Sequence, residues 1–320
     1  MPSPRNFTFP GAGFHAVGSG SKASPTAPEP GSLGPLGQLV GTWKGAGFNQ
    51  IWRPVLNQKD AFLELNQTLE TLVIEEISGD VPNRGLLQGD INLRALHYFQ
   101  TVTDAIAKGP DGKPAGLHAE PGLWLSVPAT TAPSDPATVA RMATIPHGTA
   151  VLLQGTAFTI SGPPPISPVS ITPFEIGQPD KTIPYDEANL STPSANRTPA
   201  QDIPNVTQAM LDNPNSVLLA ALNGQTILST TTLELSTSTA KVSPPASGGG
   251  TSNIAFLDGA AGGASPNART VQTDSVFWIE QVKLPDGEVQ LQLQYSQRVL
   301  LNFNGLSWPH VSVATLIRQP

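Results

Sequence analysis

The chain has 320 residues, a formal net charge of −7 and only 13% Asp, Glu, Lys and Arg, against 30 Gly and 33 Pro. Pro removes a helical donor and Gly weakens a helix, so this composition excludes long helices and predicts many short strands with Pro- and Gly-rich connections. The acidic balance excludes general nucleic-acid binding, which needs cations to displace the counterions of phosphates.

Residues 1–35 are rich in Pro, Gly and Ser and form an N-terminal arm in this reading. The opening MPSPRNFTFPGAGFHAV contains no continuous apolar h-region, and no run reaches the roughly 20 apolar residues of a spanning helix. Cysteine is absent, which excludes disulfides and thiolate chemistry. Together these features give the expectation of a cytoplasmic protein without membrane insertion.

Leu33 to Val40 reads as a short helical turn plugging one end of a strand-rich domain. GTWKGAGFNQIW then alternates with the two-residue strand period, with Gly41, Trp43, Gly45 and Gly47 on one face. Further strands are predicted at 62–77, 86–106 (one bent strand or two, with Gly89 at the bend), 116–128, 138–145 and 149–160. Turn signals such as Gly109-Pro110-Asp111-Gly112 separate them.

Residues 161–222 read as an insertion: a Pro-rich extended part, then one or two short helices at 206–222, with Asn213-Pro214 as a start signal. These helices are expected to form a lid. A strand at 225–238 precedes a second Gly/Ala/Ser-rich insertion at 243–270. The chain closes with strands at 274–284, 288–303 and 310–318, the last two joined by Asn304-Gly305, a strong hairpin signal.

Roughly ten consecutive strands, each needing both edges paired, predict an all-β fold: one closed antiparallel barrel over 36–320, with a few short helices, the two insertions and no second core.

LGQLVGTWKGAGFNQIW (37–52), LHAEPGLWLSVP (117–128) and PHVSVATLIR (309–318) resemble, in that order, segments of nitrobindin-like proteins. These are calycins sharing the fatty-acid-binding-protein barrel. The matching segments cover about a third of the chain, which is about twice the length of bare-barrel members. The resemblance implies a b-type haem whose iron is held axially by His310, with Thr42, Gly45 and Gly47 as further cofactor-contacting positions. It implies binding of, or action on, a small oxidant or diatomic ligand: peroxide, O2, NO or peroxynitrite. Peroxidase-like or peroxynitrite-isomerising activity would follow from that. It also implies that Trp43 closes one barrel end against Arg318.

The residues themselves support several roles. On the last strand, His310, Ser312, Ala314, Leu316 and Arg318 share a face, and small side chains beside an imidazole leave volume for a ligand. The competing reading is a solvated strand-end histidine. His118 and Glu120, two apart, share a face with Trp124 and form a candidate acid–base pair or a buried structural contact. His147 lies at a turn where it could overhang the barrel mouth, and His97, sharing a face with Leu93, Ala95 and Phe99, reads as a satisfied core histidine or, in the alternative, one that looks into the cavity. His15 lies in the arm. Gly45 and Gly47 either admit a ligand to the backbone or relieve curvature. In the alternative function the barrel carries an apolar ligand such as a fatty acid, lipid or pigment, without redox chemistry.

Overall fold

Alternation of apolar residues along each segment, interrupted by Gly, Pro and Asn turns, resolves into ten long strands. They are β1 (Gly41–Pro54), β2 (Ala61–Glu76), β3 (Ile91–Lys108), β4 (Pro114–Val127), β5 (Thr138–Ile145), β6 (Thr149–Ser161), β7 (Thr226–Ser236), β8 (Arg269–Lys283), β9 (Val289–Phe303) and β10 (Leu306–Arg318). Each pairs antiparallel with the next, and β1 pairs with β10, so the sheet closes as an all-β barrel. The computed structural model describes residues 32–56, 61–145, 148–238, 249–254, 257 and 268–320. The N-terminal arm before 32, most of the 243–270 insertion, His15 and His147 lie outside the described residues. Among those described, no helix is long and apolar enough to cross a membrane.

The closing seam explains the glycines of β1. Gly45 lies opposite Leu316 and Gly47 opposite Ala314. A Cβ on Gly45 would collide with the Thr315 carbonyl, and one on Gly47 with the Val313 carbonyl. The missing side chains therefore let β10 approach closely, which is the curvature role.

A 3-10 helix, Gly34–Leu39, buries Leu36 and Leu39 in one end of the barrel. The Trp43 indole N–H donates to the Leu39 carbonyl at 2.7 Å, fixing this plug to β1. The expected stacking of Arg318 on Trp43 is replaced by another contact. Arg318 is exposed, and its guanidinium lies across Gly41, with Nε 2.9 Å from where a Cβ would sit. Below the plug the interior is filled by Trp43, Trp124, Phe277, Tyr98 and Tyr295 together with Leu, Val and Ile side chains.

The insertion between β6 and β7 departs from expectation. It contains two short helices, α1 (Gln208–Asp212) and α2 (Ser216–Ala221). They lie on the outer wall and do not cover a mouth: outward-facing Gln50 and Gln294 donate to the carbonyls of Met210 and Leu218. A second core forms there, contrary to the single-core expectation. Val169, Ile171, Leu211 and Leu218 of the insertion pack on Phe48, Trp278 and Val313 of the barrel. At its edge Trp52, Tyr185, Phe303 and Trp308 form an aromatic cluster with centroids 4.7–5.6 Å apart. Burying each large side chain contributes about 1.5–3 kcal/mol, which holds the segment down as a strap.

The strap also satisfies an open strand edge. β3 pairs with β2 only over Thr68–Glu76. Beyond that, Leu63 N–H donates to the Asn196 carbonyl at 2.8 Å, and Thr198 N–H donates to the Leu63 carbonyl at 3.0 Å. Arg197 secures this stretch by donating to the carbonyls of Glu187, Asn189 and Thr192.

Candidate functional site

Towards the end of the barrel opposite the plug, the inner wall turns from apolar to polar. Two groups of side chains result: a buried layer in mid-barrel and a chain beneath it that reaches His310.

The buried layer centres on Arg141 of β5, paired in register with Trp124 of β4. Its guanidinium lies 5.2–5.8 Å from the ring centres of Tyr98, Trp124 and Phe277, a cation over three aromatic faces. Arg141 Nη2 bonds Glu120 Oε1, Nε donates to the Tyr98 hydroxyl at 2.9 Å, and Nη1 donates to Gln297 Oε1 at 2.6 Å. The Tyr98 hydroxyl donates to the same Glu120 oxygen. His118 Nε2 lies 3.2 Å from the other one. His118 and Glu120 are thus brought together as their spacing predicts. Burial pushes the Glu120 carboxyl upward, but Arg141, His118 and Tyr98 outweigh it and hold the group down at about 2.

Beside this cluster Glu70 is also buried. It accepts from Thr68 Oγ1 at 2.8 Å, Gln100 Nε2 at 2.9 Å and the Tyr295 hydroxyl at 2.7 Å. Burial raises the Glu70 carboxyl above its ordinary value, only partly offset by these bonds. Burial, together with the neighbouring Glu70, pushes the Tyr295 phenol well up. Two carboxyl groups in one buried layer are therefore driven in opposite directions, the arrangement that separates an acid from a base.

His310 opens the inner face of β10 below this layer, part-buried, with Nε2 2.6 Å from Asn49 Oδ1 on β1. Ser312 Oγ donates to the same oxygen at 2.8 Å. Asn49 Nδ2 in turn donates to Asn66 Oδ1 at 3.2 Å, and Asn66 Nδ2 to Asp104 Oδ2 at 3.0 Å. An open pocket of about 260 Å³ adjoins the far end of this chain, walled by Arg53, Phe62, Glu64, Asn66, Asp104 and Thr198.

The other anticipated positions fall elsewhere. Thr42 lies on the outer face near the plug, where its carbonyl accepts from Gln319 N–H at 2.8 Å, so it is not brought to His310. Gly45 and Gly47 meet β10 itself. His97 points outward, against the expectation of a core histidine and equally against that of a cavity-facing ring. Its side chain is 52% exposed and 3.1 Å from Glu75, because Leu96, Tyr98 and Gln100 take the inner face of β3. Sequence reading missed Glu70, Tyr98, Gln100, Arg141 and Tyr295. The available signal was their two-residue spacing from inward apolar neighbours such as Leu72, Leu96 and Ala143.

For a haem, the test is volume and donor chemistry. The mid-barrel interior is occupied by aromatic side chains and the Arg141 cluster, which confines a group of that size to the open end. There the donor set suits it: a part-buried imidazole whose Nε2 is oriented by an amide oxygen, the kind of outer partner that orients metal-bound histidine. Among the described residues no group of three or more His, Cys, Asp or Glu is placed to hold a bare metal ion. No protein-family model matches the chain, and no curated protein matches it.

Proposed function

We propose that the protein holds a b-type haem at the open end of its barrel, with His310 directed to the iron, and there binds or converts a small oxidant or diatomic ligand. The observation that carries this reading is the part-buried His310 ring on the inner wall, its Nε2 held by Asn49. The resemblance of the first, middle and last segments to nitrobindin-like proteins supports it as well. A haem bound there supplies redox and oxygen chemistry at its iron.

The protein's own part is to orient the imidazole, limit solvent from the packed side and handle protons. His118 is suited to the last task. Its side chain is 24% exposed while its partner Glu120 is buried, so it links the mouth to the interior cluster. Glu120 is tied to Arg141 and serves to anchor His118 as a permanent anion. An apolar ligand enclosed in mid-barrel, the carrier reading, draws no support because aromatic side chains fill that volume; the imidazole at the open end is what favours haem over such a ligand there.

Titration of the purified protein with hemin is expected to give a sharpened Soret band. His310→Ala should abolish it, while His97→Ala, altering an exposed outer-face ring, should leave it intact. An unchanged band in His310→Ala rejects the assignment. Peroxide-dependent dye oxidation and peroxynitrite decay above the level of free hemin would establish catalysis.

A further inference from the structure

We propose that Asp104 is a positioning residue that fixes the tautomer of His310 from three strands away, acting through Asn66 and Asn49. This takes from the preceding reading only that His310 is the functional imidazole.

Hydrogen-bond polarity runs along this row of side chains from the Asp104 end. Asp104 is 7% exposed. Its Oδ1 accepts the backbone N–H groups of Ile106 and Ala107, each at 2.8 Å, which pins the carboxylate. Its Oδ2 faces Asn66. A carboxylate only accepts, so Asn66 must turn its NH2 towards Asp104 and its oxygen towards Asn49. Asn49 then donates to that oxygen and is left with its own oxygen facing His310 Nε2 and Ser312 Oγ. An amide oxygen also only accepts, so Nε2 carries the hydrogen and the neutral ring keeps its lone pair on Nδ1. Ser312 Oγ, 3.3 Å from Nε2, commits its own proton to Asn49 and cannot reverse this.

Strand register builds the chain. Asn49 lies opposite Asn66 on β2 and opposite Ser312 on β10, and Asp104 lies opposite Thr68, one inward position along from Asn66. Each amide link could be turned end for end without changing its shape. One polarity is selected because the Asp104 end cannot donate. The proton position on His310 decides which ring nitrogen can act as a Lewis base at the proposed site.

Asp104→Asn tests this with a sign. The new amide keeps its oxygen on the Ile106 and Ala107 N–H groups and presents NH2 to Asn66. Asn66 and Asn49 then reverse, Asn49 donates to Nε2 and to the Ser312 hydroxyl oxygen, and the ring proton moves to Nδ1. Moving the charge inward, in Asn49→Asp combined with Asp104→Asn, restores an acceptor opposite Nε2 with every link satisfied. The double variant should therefore return the proton to Nε2.

The measurement is two-bond 1H–15N correlation of the histidine rings in 15N-labelled protein without hemin, at alkaline pH where imidazole is neutral, with His310→Gln identifying the signal. The expected results are Nε2–H in the native protein, Nδ1–H in Asp104→Asn and Nε2–H in the double variant. A native protein with the proton on Nδ1, or an Asp104→Asn protein still protonated on Nε2, overturns the proposal. If Asp104→Asn fails to fold, Nδ1–H in the native protein or in the double variant still overturns the proposal. Because no hemin is present, a protein that binds none leaves this result standing, and a wrong tautomer leaves the hemin titration untouched.

Discussion

Two buried carboxylates, one inside the barrel and one on its outer wall beneath the strap, show how differently the two sides of this sheet are built. Glu120, inside, has both oxygens bonded to Arg141, Tyr98 and His118. Glu280, outside on β8, is as fully buried, yet Gln292 reaches only one of its oxygens, at 2.7 Å. Among the described residues the other has no hydrogen-bond partner, and neither do Thr232 Oγ1, Gln294 Oε1, Ser296 Oγ or Gln50 Oε1 on the same outer surface. Burial pushes Glu280 up to about 8, with Gln292 offsetting part of the shift, whereas Glu120 stands at about 2. The cluster around Glu120 is a completed polar network that fixes one arrangement. The wall under the strap is polar surface covered by an apolar segment, held by side-chain packing despite unmet hydrogen bonds.

The largest effect is expected from Arg141→Met. It strands a buried anion at Glu120, and urea denaturation should show a loss of about 3–5 kcal/mol. Adding Glu120→Leu to that variant should recover most of it, since a buried pair replaced by apolar groups is often close to neutral.

Next in size is the alkaline behaviour of Glu280. Its folded value lies above its unfolded one, so its stabilising contribution is complete below about 4.5 and is lost as pH rises through about 8. The loss should be on the order of a few kcal/mol. Glu280→Gln should flatten that decline while changing stability near pH 5 by less than about 1 kcal/mol. Equal pH profiles for the two proteins would show that the strap does not enforce the buried acid.

The smallest effect is the opposite one at Glu120. Its folded value is depressed, so its contribution is present above about 4.5 and is lost as pH falls through about 2. Relative to the native protein, the variant lacking the Arg141–Glu120 pair should be less sensitive over that acid range, as followed by circular dichroism.

Much of the frame was legible because β strands advertise themselves by alternation. β10 read correctly from its His310, Ser312, Ala314 and Leu316 face, and the hairpin before it from Asn304-Gly305, whose φ values of 48° and 80° fit a turn that needs left-handed backbone. β2 was harder because its pattern is inverted over part of its length. Asn66, Thr68 and Glu70 face inward, while Leu69 and Val73 are 45% and 37% exposed outside. An apolar-inward rule assigns such a strand to the wrong face, and it hid half of the polar layer. His97 was misplaced for the same reason, since the ring that fills the barrel belongs to Tyr98 next to it. The strap looked coreless because an extended, proline-rich segment has no period. Its Val169, Ile171, Tyr185 and Leu218 find the wall at irregular intervals. The partners of His310 were illegible for another reason: Asn49, Asn66 and Asp104 sit on separate strands, and only the register between strands places them in one row.

The joint between β1 and β10 sets the order in which this molecule can come into being. His310 and Asn49 are 261 residues apart in the chain, so their meeting closes a very long loop, the slow kind of contact to form. A nascent or half-assembled polypeptide therefore lacks the His310–Asn49 contact. The surroundings of His310 are completed by the same seam that completes the wall, so the state of that ring reports whether the barrel has closed.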